Sequence, residues 1–199
     1  MISAYNIKPK FQQLLKPILN LLFKCRVTAN MITWAAIILS CLTGVIIWNH
    51  SYGIAFILVP ILLLIRMALN ALDGMMARNY NMQSTAGEIL NELGDVVSDL
   101  FIYFPLLFLF KLNLYVLLVF LFLSVVNEFA GILAKAIIGT RRYDGPMGKS
   151  DRAFLVGIIS LILYFNVSLL PYTNYAIIFA SALLVVSTSV RILKTLKPD

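Results

Sequence analysis

Long apolar stretches separated by short polar ones dominate this sequence after the first 30 residues. A helix needs about 20 apolar residues to cross the roughly 30 Å hydrocarbon core of a bilayer. We therefore predict an all-α, polytopic membrane protein with six transmembrane helices. The narrow break at Lys111-Leu112-Asn113 and the short fifth stretch leave five or seven open. The predicted spans are residues 32–49, 53–72, 89–110, 112–138, 153–170 and 175–193.

The first 30 residues show a different pattern, with apolar residues on one stripe of a helix and lysines and amides on the remainder. This pattern predicts an amphipathic helix in the membrane interface, bent or interrupted at Pro17. A loose basic arm is the alternative. We expect two parts, an interfacial lead-in over residues 1–30 and a six-helix transmembrane domain over residues 31–199. The stripe comprises Phe11, Leu14, Leu15, Ile18, Leu19, Leu22 and Phe23.

Composition and charge support a membrane protein, because 61% of the residues are hydrophobic and only 13% are charged. With six spans, Lys111 is the one basic residue among 16 that falls opposite the termini. This asymmetry predicts that both termini are cytoplasmic. It also assigns the net charge of +7 to topology and anionic lipid, not to nucleic acid. We expect no cleavable signal peptide, no disulfide between Cys25 and Cys41, and no chemistry at His50.

Polar residues gather where the second and third predicted spans approach the cytoplasmic side. Asn70 and Asp73 share one face of the second span. Asn91 and Asp95, which are four residues apart, share one face of the third. An ionisable side chain at membrane depth costs about 2.5–3.5 kcal/mol, so acids gathered there indicate a bound cation or a reaction. Carboxylate and amide oxygens suit Mg²⁺ or Mn²⁺, which also bind substrate phosphates.

The complete cluster reads Asn70-x2-Asp73-Gly74-x2-Ala77-Arg78-x8-Gly87-x3-Asn91-x3-Asp95. It resembles the motif of the CDP-alcohol phosphotransferase family, Asp-x2-Asp-Gly-x2-Ala-Arg-x8-Gly-x3-Asp-x3-Asp, with every spacing kept and six positions identical. The resemblance covers most of the chain, since family members also have six spans and an N-terminal interfacial helix. The chain resembles most an uncharacterised branch from the bacterial inner membrane.

The resemblance implies a metal site, a lipid site and a homodimer. The four acidic positions of the family hold two divalent ions against the diphosphate of a CDP-linked lipid, and the last acid, Asp95 here, is the proposed catalytic base. We also assign Asn30 to the lipid site, although an N-cap is its alternative, and a topological flank is the alternative for Arg78. The metal positions are Asn70, Asp73, Asn91 and Asp95, and the CDP-lipid positions are Asn30, Gly74, Ala77, Arg78 and Gly87.

Two asparagines depart from the family pattern. Asn70 and Asn91 replace acids, so the four positions carry two negative charges instead of four. We expect one tightly held ion or a weaker pair, because amide carbonyls still coordinate hard cations. Acids on neighbouring turns of the third span could restore charge, namely Glu88, Glu92 and Asp99.

A basic loop before the fifth predicted span is the second candidate site. Four cations within twelve residues, interleaved with Gly and Pro, could form an anion pocket beside the metal positions. Positive-inside topology is the alternative explanation. In the fourth span, Glu128 and Lys135 lie two turns apart and could neutralise each other, with a direct role in the active site as the alternative. The predicted acceptor-binding residues are Arg141, Arg142, Lys149 and Arg152.

These features together predict a phosphatidyltransferase of phospholipid biosynthesis. It would transfer a phosphatidyl group from CDP-diacylglycerol to a small polar alcohol, with a phosphorylated alcohol favoured, and release CMP. A pseudoenzyme that keeps a CDP-lipid or metal site is the first alternative. A small-solute transporter is the second, although neither inverted repeats nor broken helices are visible.

Overall fold

Helices account for nearly all of the computed structural model, which describes the backbone of residues 4–49 and 52–197 and the side chains of residues 10–49 and 53–197. His50 lies outside the described residues. This part of the chain contains no β-strand, so the all-α prediction is confirmed. The helices are α1 Ala4–Lys24, α2 Ala29–Asn49, α3 Tyr52–Asn79, α4 Thr85–Leu109, α5 Leu114–Ile138, α6 Lys149–Phe165, a 3₁₀ segment Val167–Tyr172, and α7 Thr173–Leu196.

Four stretches of the described residues are long and apolar enough to cross a membrane: Ala29–Asn49, Gly53–Asn79, Leu114–Ile138 and Val167–Leu196. On α2, one exposed stripe consists of Trp34, Ile38, Leu42 and Val45, as expected for contact with lipid. Helices α4 and α6 are not in this set, since α4 carries four acids in its first four turns and α6 has only 17 residues. Six spans therefore remain a prediction.

Two helix boundaries differ from the predicted spans because asparagine side chains cap the chain there. Helix α5 begins at Leu114, where the Asn113 side chain accepts a hydrogen bond from the Tyr115 N–H at 2.9 Å. Helix α6 ends at Phe165, and the Asn166 side chain accepts from the Ser168 N–H at 3.1 Å. The 3₁₀ segment thus occupies the end of the predicted fifth span.

The chain forms two units. The first comprises residues up to Leu42 together with Leu64–Asp99, and the second comprises Thr43–Leu63 together with the residues from Leu100 onward. Each unit takes parts of α2, α3 and α4, because the divisions fall within these helices. The predicted metal and CDP-lipid positions belong to the first unit, and the predicted acceptor residues belong to the second.

Helix α1 belongs to the core of the first unit. Leu15 and Leu19 are buried with Ala29 and Ile32 of α2 and with Leu72, Met75 and Met76 of α3. At its end, the Phe23 ring stacks on Tyr80 with centroids 3.7 Å apart, and the Tyr80 hydroxyl donates to Asn20 Oδ1 at 2.9 Å. The backbone is helical through Pro17, which excludes a loose arm over Ala4–Lys24. The interfacial position of α1 stays a prediction.

The second unit is organised around the packing of α5 against α7. Aromatic pairs fill its interior, with ring centroids 6.2 Å apart for Tyr103 and Phe120 and 5.9 Å apart for Phe56 and Phe110. The Thr173 hydroxyl at the start of α7 donates to the Phe110 carbonyl at 3.3 Å. These contacts bring the end of α5 and the end of α7 to the same part of the unit, where its charged residues collect.

Candidate active site

The four predicted metal positions lie together in the first unit as two crossed pairs. Near the end of α3, the Asn70 amide nitrogen donates to Asp95 Oδ1 of α4 at 3.2 Å. In the opposite direction, the Asn91 amide nitrogen of α4 donates to Asp73 Oδ2 of α3 at 3.1 Å. Each pair joins one amide to one carboxylate across the two helices. The helical spacing predicted from the sequence thus yields one cluster.

Asp73 is the most buried of the four positions, with 3% of its surface exposed. A third helix also contacts it, because the Thr33 hydroxyl of α2 donates to Asp73 Oδ2 at 2.9 Å. Thr33 is not among the site residues predicted from the sequence. Its spacing from Asn30, one turn earlier on the same helix, is the signal that could have suggested it. Asp95 is more open, being half-buried.

A buried ion pair lies one turn deeper along the same helices. Arg66 NH1 and Asp99 Oδ1 are 2.6 Å apart, and both side chains are almost completely buried. Arg66 NH2 also donates to the backbone carbonyl of Asp95 at 3.2 Å. Two sequence interpretations change as a result. Arg66, one of the basic residues assigned to the side of the termini, is a buried partner of Asp99. Asp99, which could have restored charge to the predicted metal positions, is therefore already paired.

The donors present fit a hard divalent ion. Mg²⁺ commonly uses one or two carboxylates and completes its coordination with water and substrate phosphates, and Asp73 and Asp95 supply those carboxylates. The oxygen and nitrogen of each asparagine amide exchange places on rotation of the side chain, so Asn70 and Asn91 can offer oxygens instead. Among the described residues, no three His, Cys, Asp or Glu side chains form a metal-binding group. The four positions therefore offer a mixed set of donors, carboxylates from the two aspartates and amides from the two asparagines.

Four of the predicted CDP-lipid positions form two contacting pairs in the first unit, Gly87 with Asn30 and Gly74 with Arg78. A Cβ added at Gly87 would lie 2.5 Å from Asn30 Oδ1, so the Asn30 side chain of α2 rests directly on α4 at this glycine. On α3, the Arg78 guanidinium lies over Gly74, 3.3 Å from where a Cβ would be. Ala77 is partly buried against the α1 core cluster.

Asn30 is not the N-cap of its helix. The Thr28 hydroxyl fills that role by accepting from the Met31 N–H at 3.3 Å, which leaves the Asn30 side chain for its contact with Gly87. The Ser84 hydroxyl similarly accepts from the Gly87 N–H at 3.0 Å at the start of α4. The alternative of a capping role for Asn30 is thus excluded, and its lipid role stays a prediction.

The second unit holds a cluster of arginines. Glu128 of α5 accepts from Arg141 at 2.8 Å and from Arg152 of α6 at 3.0 Å. Arg152 is completely buried and Glu128 is 4% exposed. Spacing along α5 pairs Glu128 with Lys135, but in the structure its carboxylate binds these two arginines instead. Of the four predicted acceptor residues, Arg141 and Arg152 thus share one carboxylate.

The other predicted acceptor residues border this cluster or the loop that leads to it. Arg142 NH2 donates to the Lys194 carbonyl at 3.2 Å, and its own backbone carbonyl lies 2.7 Å from where a Cβ on Gly131 would be. Glycine is therefore required for the loop to rest on α5. Lys149 is half-buried at the start of α6, where the Asp151 side chain accepts from the Gly148 N–H at 2.9 Å.

Arg191 of α7 is a buried cation. Its place at the end of an apolar helix had suggested only a basic residue that sets membrane topology. Its guanidinium donates to the backbone carbonyl of Asp144 at 3.1 Å and to that of Asn127. In the loop, the Asp144 carboxylate pairs with Lys194, and this hydrogen bond holds the pKa of Asp144 below its ordinary value. Asp144 therefore stays charged and compensates Lys194, so Arg191 adds to the positive charge of the cluster.

A family model described as CDP-alcohol phosphatidyltransferase matches residues 26–189. The chain belongs to this family. The matched region contains all the predicted site residues, from Asn30 to Arg152. Arg191 lies just beyond its end. The family expected from the motif is thus confirmed.

Two relatives extend the comparison. The chain is 48% identical to the inner membrane protein YnbA of Escherichia coli (strain K12) over 183 residues, which cover 92% of this chain and 91% of that one. It is 30% identical to an uncharacterized protein of Aquifex aeolicus (strain VF5) over 94 residues, or 47% of this chain and 46% of that one.

Two crystal structures of the phosphatidylinositol phosphate synthase PgsA1 of Mycobacterium tuberculosis share the fold. One, in complex with manganese and citrate, has a TM-score of 0.74 at 17% identity, covering 91% of this chain and 88% of that one. The other, with CDP-DAG bound, has a TM-score of 0.76 at 17% identity, covering 93% and 94%. At this identity, the likeness establishes the shared fold.

Proposed function

We propose that this chain is a metal-dependent membrane enzyme that transfers a phosphatidyl group from CDP-diacylglycerol to a small polar alcohol and releases CMP. The observation that carries the proposal is the crossed pairing of Asn70 with Asp95 and of Asn91 with Asp73, which gathers the four motif positions into one cluster. Family membership supports the reaction class. The fold shared with a protein crystallised with manganese and with CDP-DAG supports the substrate and the metal.

The lipid substrate is assigned to the residues around Gly74 and Gly87. Gly74 lets the Arg78 guanidinium lie against α3, and Gly87 lets the Asn30 side chain approach α4. Ala77, three residues after Gly74 on α3, adds only a small side chain. Arg78 is exposed, and its planar guanidinium can offer two parallel donors to the diphosphate. The Asn30 oxygen can accept a hydrogen bond from the nucleotide.

The residues proposed to hold Mg²⁺ or Mn²⁺ are Asp73 and Asp95, through their carboxylates, with Asn70 and Asn91 through their amide oxygens. When bound, such an ion would neutralise charge on the diphosphate and on the departing CMP. Thr33 holds the Asp73 carboxylate in place from α2. Arg66 holds the backbone at Asp95 in place by donating a hydrogen bond to its carbonyl oxygen.

Asp95 is the proposed general base. It is more accessible than Asp73, and one of its oxygens is fixed by the Asn70 amide, which leaves the carboxylate oriented for proton transfer. The acceptor hydroxyl gives its proton to Asp95 as its oxygen bonds to the phosphorus that carries the diacylglycerol. The bond from that phosphorus to the CMP oxygen breaks, and CMP leaves with the electron pair.

The acceptor is assigned to the arginine cluster of the second unit, with Arg141, Arg142, Lys149 and Arg152 as ligands. Arg191 is added to this group. Glu128 is the shared partner of Arg141 and the buried Arg152, while Arg191 donates to backbone carbonyls, so the cluster has a surplus of positive charge. Such a surplus is stabilised by an anion, so a phosphorylated alcohol is the preferred acceptor.

The proposed setting is the bacterial inner membrane, with both termini and the site on the cytoplasmic side. The name of the relative YnbA, an inner membrane protein, and the four apolar helices support this location. The distribution of basic residues supports the orientation. The homodimer implied by the family resemblance is part of the same proposal.

One observation favours a second function, that of a non-catalytic protein that binds a CDP-lipid. Both retained carboxylates already accept hydrogen bonds from asparagine amides, which a catalytic metal would have to displace. The two functions differ in CMP release. The test uses the purified full chain in lipid nanodiscs with CDP-diacylglycerol and Mg²⁺ or Mn²⁺, and compares glycerol 3-phosphate, inositol phosphate, inositol and serine as acceptors.

The enzyme should release CMP only when both metal and acceptor are present, and faster with a phosphorylated acceptor. Asp95→Asn should lower that rate by about 10²–10⁴-fold, the usual contribution of a general base, while leaving binding of CDP-diacylglycerol intact. Saturable lipid binding without CMP release for any acceptor would instead favour the non-catalytic protein.

A further inference from the structure

The four metal positions are joined to one another by hydrogen bonds within the chain. Asp73 Oδ2 accepts from both Thr33 and Asn91, and Asp95 Oδ1 accepts from Asn70. Two helices carrying four carboxylates would repel each other at this point unless cations lay between them. Here the amide N–H groups of the asparagines provide the positive ends that hold the carboxylates together.

The charge of the cluster limits how many ions it can hold. Asp73 and Asp95 bring two negative charges, which balance one divalent cation. The ion pair of Arg66 with Asp99 contributes no net charge, because both members are buried and paired. A second divalent ion would leave two positive charges that the four positions do not compensate, beside the buried Asp73, where unpaired charge is costly.

We infer that this is a single-ion centre in which Asn70 and Asn91 take the place of the second ion. The inference rests on the proposed function, since it takes the cluster to be the metal site of the enzyme. It goes further in assigning a structural role to the two substitutions. The amides keep the ends of α3 and α4 joined when no metal is bound, and they lower the number of ions from two to one.

The experiment counts bound Mn²⁺ directly. Purified full-length chain in nanodiscs is titrated with Mn²⁺, and the free ion is measured from its electron paramagnetic resonance signal. The wild-type chain should saturate at about one Mn²⁺ per chain, and Asn70→Asp/Asn91→Asp, which restores four carboxylates, at about two. A matched control, Asn79→Asp/Asn81→Asp, adds the same charge at exposed positions near the end of α3 and should stay at about one.

A second readout avoids metal counting. In excess chelator, the thermal stability of the wild-type chain should change little, because its amides hold the carboxylates. The Asn70→Asp/Asn91→Asp variant should unfold at a lower temperature in chelator and recover with Mn²⁺. If that variant does not fold, Asn91→Asp alone should lower the Mn²⁺ concentration for half-saturation, and an unchanged value would contradict a role for Asn91 at the ion.

Other outcomes overturn the inference. Two Mn²⁺ per wild-type chain would show that other groups, such as Glu92, complete a second site, and no binding at all would remove the centre. A double variant that stays at one ion would show that the asparagines do not set the number. CMP release separates the two proposals: turnover with two ions refutes the single-ion centre alone, and one ion without turnover refutes the enzyme alone.

Discussion

The two charged clusters of this protein treat their carboxylates in opposite ways. In the first unit, Asp73 and Asp95 accept hydrogen bonds from neutral amides and a hydroxyl. In the second unit, Glu128 accepts from two guanidinium groups, and Arg191 beside them has only backbone carbonyls as hydrogen-bond acceptors in the contacts described above. The first cluster therefore has surplus negative charge, and the second has surplus positive charge.

The balance of charge in each cluster, more than the number of its charged residues, thus indicates what the cluster binds. The first has few full charges and suits a cation. The second has many and suits an anion, although a carboxylate lies at its centre. Substitutions that change the balance should affect one ligand at a time, which gives a way to test the assignment.

The largest effect is expected from Asp73→Ala, which removes half of the negative charge of the first cluster. A metal supplies several kcal/mol of transition-state stabilisation, so CMP release should fall by about a thousandfold or more. The comparison also requires that acceptor affinity remain unchanged. Size-exclusion chromatography checks the fold, and full turnover in excess chelator would eliminate the metal site.

The next largest effect should follow from Glu128→Gln, which removes the carboxylate shared by Arg141 and Arg152. Breaking a buried ion pair leaves uncompensated charge, and the free energy of unfolding should fall by about 3 kcal/mol. Phosphate should restore part of this stability by supplying an anion. Lys135→Gln changes the exposed lysine that the spacing had paired with Glu128, and should cost much less. Equal losses in the two variants would refute the arginine cluster.

A smaller effect, confined to one substrate, should follow from Arg142→Gln. Losing one charge-assisted hydrogen bond costs about 1.5–3 kcal/mol, or roughly tenfold to a hundredfold in kcat/KM for the acceptor. The KM for CDP-diacylglycerol should change little. Lys197→Gln is the control, because it removes one positive charge at the exposed end of α7. If both variants leave acceptor kinetics unchanged, these cations only set topology, and neutral alcohols become plausible acceptors.

The smallest effect should follow from Gly87→Ala, which changes no charge. The added methyl would lie 2.5 Å from Asn30 Oδ1 and displace the Asn30 side chain from its contact with α4. Overpacking of this kind costs about 1–2 kcal/mol, so the KM for CDP-diacylglycerol should rise by about tenfold. Gly53→Ala is the control, because no neighbouring atom lies within 4 Å of its added methyl. A normal KM for Gly87→Ala would remove Asn30 and Gly87 from the lipid site.

The sequence predicted the first cluster well because its residues lie on two helix faces with regular spacing. Asn70 and Asp73, like Asn91 and Asp95, are one turn apart, and helical geometry alone brings each pair to one face. The contact of Thr33 with Asp73 was missed, since it joins residues 40 positions apart on different helices. No local pattern encodes such a contact.

The second cluster was predicted less well for a related reason. Basic residues at the ends of apolar helices are common in membrane proteins, so Arg191 looked like an ordinary flank. Lys135 lies near Glu128 along the helix, whereas Arg141 and Arg152 reach it through a loop and a separate helix. Similarly, the end of α6 depends on a turn at Asn166 that hydropathy does not detect.

Helix α1 has a practical consequence for anyone who shortens this protein. The region shared with the family begins at residue 26, yet Leu15 and Leu19 lie before it. They cover Leu72, Met75 and Met76, the residues on either side of Asp73. Trimming the chain to the shared region would strip the packing from around Asp73, a proposed metal ligand, without removing any proposed ligand. The minimal functional fragment must therefore retain α1, a helix that supplies no ligand of its own.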